Sequence, residues 1–394
     1  MATLLWEDAR HPDAISGMPW NMRSALERQG CEIVPIVVGK SGAAPVVGPT
    51  KVVVRSSIVR EAIRATERFF EETLAGTARD RHLDRARRDA ARADRLLRDH
   101  AVDAVFGPCM SGPLAWLESD LPVVYASDAT AALLVTTYER YRRRGRGWRE
   151  AVVELETRAL QRADRVAFAS DRTARSAVDD HGMDPAKATI VPLGANVRPE
   201  PGEDVGTPTP PDRGDLRLLL AAADPERKRL DLCLDIVRGL RARGTKATLH
   251  YIGPERPACR ATEVNWAGRL RLGEPQDDAT HRRLLRDCHL SILPSRAEMF
   301  GIAPIESAAY GRPAVVSDAG GLPTVVRDGK TGRVVPREAP VEDWIDAVED
   351  VCGDPDRYLE FAQAARERQA SELNWDAWGA RVRGLVEDAV AAAS

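Results

Sequence analysis

The chain has 394 residues, 43% of them hydrophobic and 30% charged, with a formal net charge of −3 and a pI near 6.2. That length is more than one ordinary core accommodates, so two domains of nearly equal size are expected. The charge gives no overall field to draw nucleic acid or an anionic membrane, so any charged ligand must be held by a local site.

In chain order, the N-terminus "MATLLWEDARHPD" reaches charge at Glu7 and offers no signal-peptide core, and no later apolar run is long enough to span a bilayer. The six cysteines lie far apart without a C-x-x-C pair, which suits packing roles in a reducing compartment. A cytoplasmic location is the expectation. Short β-branched runs then alternate with longer helical patterns, the signature of parallel sheets covered by helices on both faces. Strands are predicted at 31–38, 101–107, 121–127, 165–170 and 188–194. Helices are predicted over 60–98 and 147–163, the second with Val153, Leu155 and Leu160 on its apolar side.

The stretch "VRPEPGEDVGTPTPPDRGD" is dense in Pro, Gly and acid and reads as a linker. After it the alternation restarts, with strands predicted at 216–223, 247–253, 263–268, 288–295 and 313–318. The chain is therefore expected to hold two doubly wound α/β domains facing each other across a cleft. Their boundaries are set at 1–197 and 216–373, with the linker at 198–215 and a terminal helix over 374–394. Ligands of such sheets sit at the C-terminal ends of the strands.

The segment "CHLSILPSRAEMFGIAPIESAAYGRP" reads as a buried strand, a loop and a helix that starts near Gly301 or Ile302. Pro304 suits the first turn, and Gly311 with Pro313 suits the stop. If Glu298 and Glu306 were both helical, eight residues would leave them about 80° apart around the axis and ~12 Å along it. Carboxylates that work as an acid/base pair lie about 5 to 9.5 Å apart. The two are better placed to grip different parts of one elongated ligand, with the helix N-terminus and Gly301 between them suited to phosphate. A sugar nucleotide has that layout. The bland alternative is a strand–loop–helix connection whose carboxylates merely suit a helix N-terminus.

This stretch resembles the Glu, seven residues, Glu motif of the retaining glycosyltransferases of family 4, the group 1 enzymes of the GT-B fold. Residues 293–336, including the Gly320-Gly321 turn, resemble the family's donor-site block throughout. Residues 221–231 are similar to its diphosphate-clamp segment, 166–197 to the last N-domain strand and exit, 16–30 to the first loop and helix, and 371–390 to the terminal helix that crosses back.

The resemblance implies a fold of two Rossmann-like domains and a nucleotide-diphosphate sugar, UDP- or GDP-linked, as co-substrate. Glu306 would take the ribose hydroxyls and Glu298 the donor sugar. Phe300, Gly301 and Ile302 would meet the sugar and diphosphate, with Gly17 close by. Arg227 and Lys228 would neutralise the diphosphate as it leaves, although Ala222-Ala223 stand where many relatives carry Gly-Arg. That role has its own physical reason, because the leaving group gains negative charge in the transition state. The base would lie against the backbone of Arg269 and Leu270.

Asp128 reads either as a general base or as a cap of the following helix. His11, Trp20 and Asp128 are candidate acceptor contacts, together with the 107–113 turn. The basic run "YERYRRRGRG" (138–147) reads first as a solvated helix end and second as a surface for an acidic acceptor or lipid head group. Retention by front-side attack is expected, with no cofactor and no metal, since no Asp-x-Asp site precedes a short strand. A soluble small-molecule acceptor, as in natural-product biosynthesis, is preferred over a lipid-linked glycan, and sugar-nucleotide epimerase activity is a further alternative. The sequence leaves the oligomeric state open.

Overall fold

The computed structural model of the chain describes residues 1–6, 18–39, 57–200, 202–203, 205–259 and 262–394, with the backbone alone for 2–6, 39 and 57–77. Gly17 and His11 lie outside the described residues.

The strands are β1 (Ala2–Trp6), β2 (Val34–Gly39), β3 (Val105–Pro108), β4 (Val123–Ser127), β5 (Arg165–Phe168), β6 (Ala188–Ile190), β7 (Leu216–Ala221), β8 (Ala247–Ile252), β9 (Val264–Gly268), β10 (Leu290–Leu293), β11 (Ala314–Ser317) and β12 (Gly332–Val335). They form two six-stranded sheets, ordered β2-β1-β3-β4-β5-β6 and β12-β11-β10-β7-β8-β9, and every pairing is parallel. The fold is α/β GT-B. In the second sheet the strand order reverses between β7 and β10. The two loops that leave those strands open a crevice there, which is where doubly wound sheets hold ligands.

Each predicted strand lies over an observed one, but most are shorter than the apolar run that announces them. Hydrogen-bonded register sets the limit: β2 begins where Val34 pairs with Ala2, and β3 where Val105 pairs with Val123. The strand β1, second from the edge of its sheet, and the edge strand β12 were not among the predicted strands. β3, β4, β10 and β11 are buried along their whole length, which explains why they read as continuous apolar runs.

The helix Arg146–Arg162 turns Ala151, Leu155, Ala159 and Leu160 inward, as a period of 3.6 demands, and leaves Val153 half-buried. Its inner face also carries Glu156, whose Oε1 accepts the Tyr125 hydroxyl at 3.0 Å, and burial pushes that carboxyl up to about 7.

The terminal helix Trp375–Ala393 lies against the helix Met18–Arg28 of the first sheet. A Cβ on Gly379 would meet the Ala25 carbonyl oxygen at 2.8 Å, so glycine sets the approach of the two backbones. Trp375 and Trp378 are fully buried and pack edge to face with centroids 5.8 Å apart, and Arg28 Nε reaches Asp376 Oδ1 at 2.7 Å. Among the described residues no helix is long and apolar enough to cross a membrane.

Candidate functional site

A cavity of about 1060 Å³ lies between the two sheets and is lined from both sides. From the second sheet come the loop after β7 with Arg227 and Lys228, the loop after β10 with Glu298 to Ile302, and Glu306 on the following helix. Arg269 and Leu270, after β9, line it as well. From the first sheet come Asp128, Tyr138 and the arginines that follow it.

The loops hold these groups by backbone contacts. The Arg227 carbonyl accepts the Arg296 N–H at 2.9 Å, tying the loop after β7 to the loop after β10. Gly301 has φ +103, and a Cβ there would come within 2.4 Å of Leu322 Cδ2, so this close turn requires glycine. The helix starts at Ala303, one to two residues later than the sequence suggested, with Ile302 as its N-cap and no side chain capping it. It stops at Gly311, φ +67, where the Gly311 and Arg312 N–H groups close back on the Ala308 and Ser307 carbonyls.

Glu298 is the electrostatic centre of the site. Its Oε1 lies 2.8 Å from Arg227 NH1 and 3.7 Å from Lys228 Nζ, and it accepts the Ser295 hydroxyl at 3.1 Å. Lys228 Nζ also donates to the Ala221 carbonyl at 3.0 Å. The Arg227 guanidinium lies 5.2 Å from the centre of the Tyr138 ring, a cation–π contact that crosses the cleft. Arg227 and Lys228, the two cations expected at a diphosphate, both lie against the carboxylate expected at a sugar.

Glu306 sits apart from that cluster. Its Oε1 accepts the Val197 N–H at 3.1 Å, and its Oε2 lies 3.7 Å from His281 Nε2. Burial pushes Glu306 up to about 7, held back by the Val197 N–H and the Lys228 charge. Burial also pulls His281 down to about 4, so the two face each other as imidazole and carboxyl rather than as an ion pair. The two glutamates have different neighbours and share only the influence of Lys228, in keeping with separate ligand contacts.

Asp128 does not cap the next helix: that position belongs to Thr130, whose Oγ1 accepts the Leu133 N–H at 3.2 Å. Its carboxyl lines the cavity, and burial pushes it up to about 6, with the Glu298 charge adding to the rise. Neither Trp20 nor the 107–113 turn lines the cavity. The helix Met18–Arg28 turns Met18 and Met22 inward, which leaves Trp20 outward with 42% of its surface exposed.

The basic run is exposed, as a solvated helix end would be, and it also borders the cavity. Arg140, Arg142 and Arg143 are exposed, yet all three line the cavity mouth, and Glu139 is paired with only the last two, at 3.9 and 2.8 Å. Arg140 stacks over Tyr138 and Tyr141 at 5.4 and 4.7 Å. The interleaving of Tyr with Arg was the signal available in the sequence. His281 and Asn196 also line the cavity and carried no such signal. Among the described residues no group of three His, Cys, Asp or Glu side chains is placed to hold a metal ion.

Two family descriptions match the chain: "Glycosyltransferase Family 4" over residues 20–198 and "Glycosyl transferases group 1" over residues 208–368. A D-inositol 3-phosphate glycosyltransferase of Gordonia bronchialis is 25% identical over 286 residues, 68% of this chain and 61% of that protein. Its namesake in Mycobacterium tuberculosis is 28% identical over 291 residues, 68% of this chain and 57% of that one. The matched part thus spans about three-fifths of the length of these relatives.

Among solved structures, sucrose-phosphate synthase from Thermosynechococcus elongatus superposes with a TM-score of 0.66 at 15% identity, covering 100% of both chains. WaaG, a glycosyltransferase involved in lipopolysaccharide biosynthesis, does so with 0.56 at 16%, covering 100% of this chain and 99% of the other.

Proposed function

The chain belongs to the group 1, family 4 glycosyltransferases of the GT-B fold, and from that premise we propose that it moves a sugar from a nucleoside-diphosphate donor to a small acceptor bearing an anionic group, with retention of configuration. The observation that carries this is the array along one cavity: Arg227 and Lys228 on Glu298, then Gly301, then Glu306.

The diphosphate of the donor takes Arg227 and Lys228 and so releases Glu298 to accept hydrogen bonds from the sugar hydroxyls. The bond from the anomeric carbon to the phosphate oxygen breaks as the acceptor oxygen attacks from the same face. The leaving phosphate oxygen takes the acceptor's proton, and the two cations stabilise the charge that develops there. Asp128 faces this space from the other domain and orients the attacking hydroxyl. Phe300, Gly301 and Ile302 line the sugar and phosphate positions, and Arg269, Leu270 and Glu306 the nucleoside.

Arg140, Arg142 and Arg143 at the cavity mouth support an anionic acceptor, and the acceptor in the printed name of the two bacterial relatives is a phosphate ester. Six free cysteines suit a reducing, cytoplasmic setting.

The test is a thermal-shift and turnover screen of UDP-, GDP-, ADP- and dTDP-sugars, with phosphorylated polyols, unphosphorylated polyols and lipid-linked glycans as acceptors. A donor at 100 times its Kd is expected to stabilise the protein by about 2.7 kcal/mol. Transfer is expected to phosphorylated polyols, with the donor's anomeric coupling preserved in the product's NMR spectrum. No shift with any donor, or transfer only to lipid-linked glycans, would overturn the reading. Activity is expected to survive EDTA, because Arg227 and Lys228 fill the role of a metal; loss in EDTA restored by Mg²⁺ or Mn²⁺ would refute that part.

A pH dependence follows from Glu306. Ribose hydroxyls donate best to a carboxylate, so nucleotide binding favours the deprotonated form and releases a proton. With the free carboxyl raised to about 7, affinity is expected to climb by up to about tenfold per pH unit below that value and to level off above it. Titration calorimetry between pH 5.5 and 8.5 reads this directly. Glu306→Gln is expected to bind more weakly and to flatten the profile, and an unchanged profile in that variant would assign the dependence elsewhere.

A further inference from the structure

Glu306 has its two oxygens in different surroundings. Oε1 is anchored by the Val197 N–H at 3.1 Å, so Oε2 is the one turned toward His281 Nε2, 3.7 Å away. His281 comes from the helix Pro275–Asp287, and its side chain retains only 12% exposure. The helix itself is well placed: Asp277 Oδ2 accepts the Arg271 N–H at 2.9 Å, and both Asp278 oxygens accept the Gly273 N–H at 3.2 Å. These bonds tie it to the loop after β9, which also lines the cavity. Among the described residues no hydrogen bond holds the His281 ring, which lines the cavity.

A separation of 3.7 Å is too long for a direct hydrogen bond, and it suits a hydroxyl that touches both groups at once, donating to the carboxylate and accepting from the ring N–H. A hydroxyl is the ligand group that is donor and acceptor together; a phosphate or a base carbonyl would satisfy only the imidazole.

We propose that His281 is a second reader of the nucleotide ribose, donating from Nε2 to the hydroxyl that Glu306 accepts, and that this pair gives the enzyme its preference for ribo- over deoxyribonucleotides. The proposal rests on the donor reading above. Because the imidazole stays neutral near pH 7, it offers one N–H without adding a charge that would compete with Arg227 and Lys228 for the diphosphate.

The experiment titrates the full chain with ADP, GDP, UDP and CDP, takes the tightest, and compares it with its 2′-deoxy and 3′-deoxy forms. In the wild type, loss of one of these hydroxyls is expected to cost about tenfold or more in Kd, because it strands both partners. In His281→Ala that penalty is expected to fall to within about threefold, while His281→Asn, which keeps an N–H donor, is expected to restore part of it. If His281→Ala weakens ribo- and deoxyribonucleotides equally, or the penalty persists in full, His281 is a packing residue and the proposal fails while the donor reading stands. If none of the four nucleotides binds the wild type, the donor reading falls and takes this one with it. Circular dichroism melts of both variants show that the comparison is made on folded protein.

Discussion

Glu298→Gln is expected to lower the transfer rate by about 10²- to 10³-fold while changing the affinity for free nucleoside diphosphate by less than about threefold. The amide keeps the volume of the carboxylate and loses its charge. In the free chain that charge is matched by Arg227 at 2.8 Å and Lys228 at 3.7 Å, with the Ser295 hydroxyl at 3.1 Å. Once a diphosphate occupies the cations, the carboxylate is released toward the sugar, and a neutral amide accepts sugar hydroxyls less strongly where charge develops in the transition state. The free nucleotide carries no donor sugar, so its binding hardly registers the change. Single-turnover transfer and calorimetry with the nucleotide separate the two quantities. Equal losses in both would show that Glu298 builds the pocket rather than serving the reaction.

Gly320→Ala is expected to destabilise the protein by about 1–3 kcal/mol and to cost transfer more than tenfold. Gly320 has φ +59, and a Cβ there would stand 1.6 Å from the Glu298 carbonyl oxygen and 2.5 Å from its carbonyl carbon. The neighbouring Gly321 donates its N–H to the Met299 carbonyl at 2.9 Å, and a Cβ on it would reach the same oxygen at 2.6 Å. The two glycines form a floor under residues 298–300, and backbone cannot yield there without carrying Glu298 with it. Gly384→Ala is the control, since its helical site has open space around it and is expected to gain about 0.4–1 kcal/mol. Gly320→Ala melting and turning over like that control would show that the turn does not position Glu298.

How much was legible beforehand differs by the kind of feature. The buried strands β10 and β11 announce themselves, because a strand covered on both faces must be largely apolar. The spacing of Glu298 and Glu306 around Gly301 and Pro304 was legible for a related reason: a local chain direction fixes where each can point. The strand β1 was not identified, since a short run at a chain end carries no turn signal before it. The exposure of the basic run after Tyr138 was legible but its place beside the cavity was not, because local pattern shows that arginines are exposed but not what they are exposed to.

The sequence by itself determined two doubly wound sheets and several of the segments that line the cavity between them, because these depend on periodicity and on turn chemistry within a few residues. Only the tertiary structure decided which groups meet. It sets Arg227 on Glu298 across 71 positions of chain, His281 beside Glu306, and Tyr138 over Arg227 from the other domain. It also gave the helix cap to Thr130, which leaves the Asp128 carboxyl in the cavity. The first two pairings come from loops and helices that the second sheet gathers at one edge, the third from the first sheet facing it, and all of them from charges and carboxyls removed from water together. Neither the distance between them nor the shift in proton affinity that results is written in any local stretch of residues.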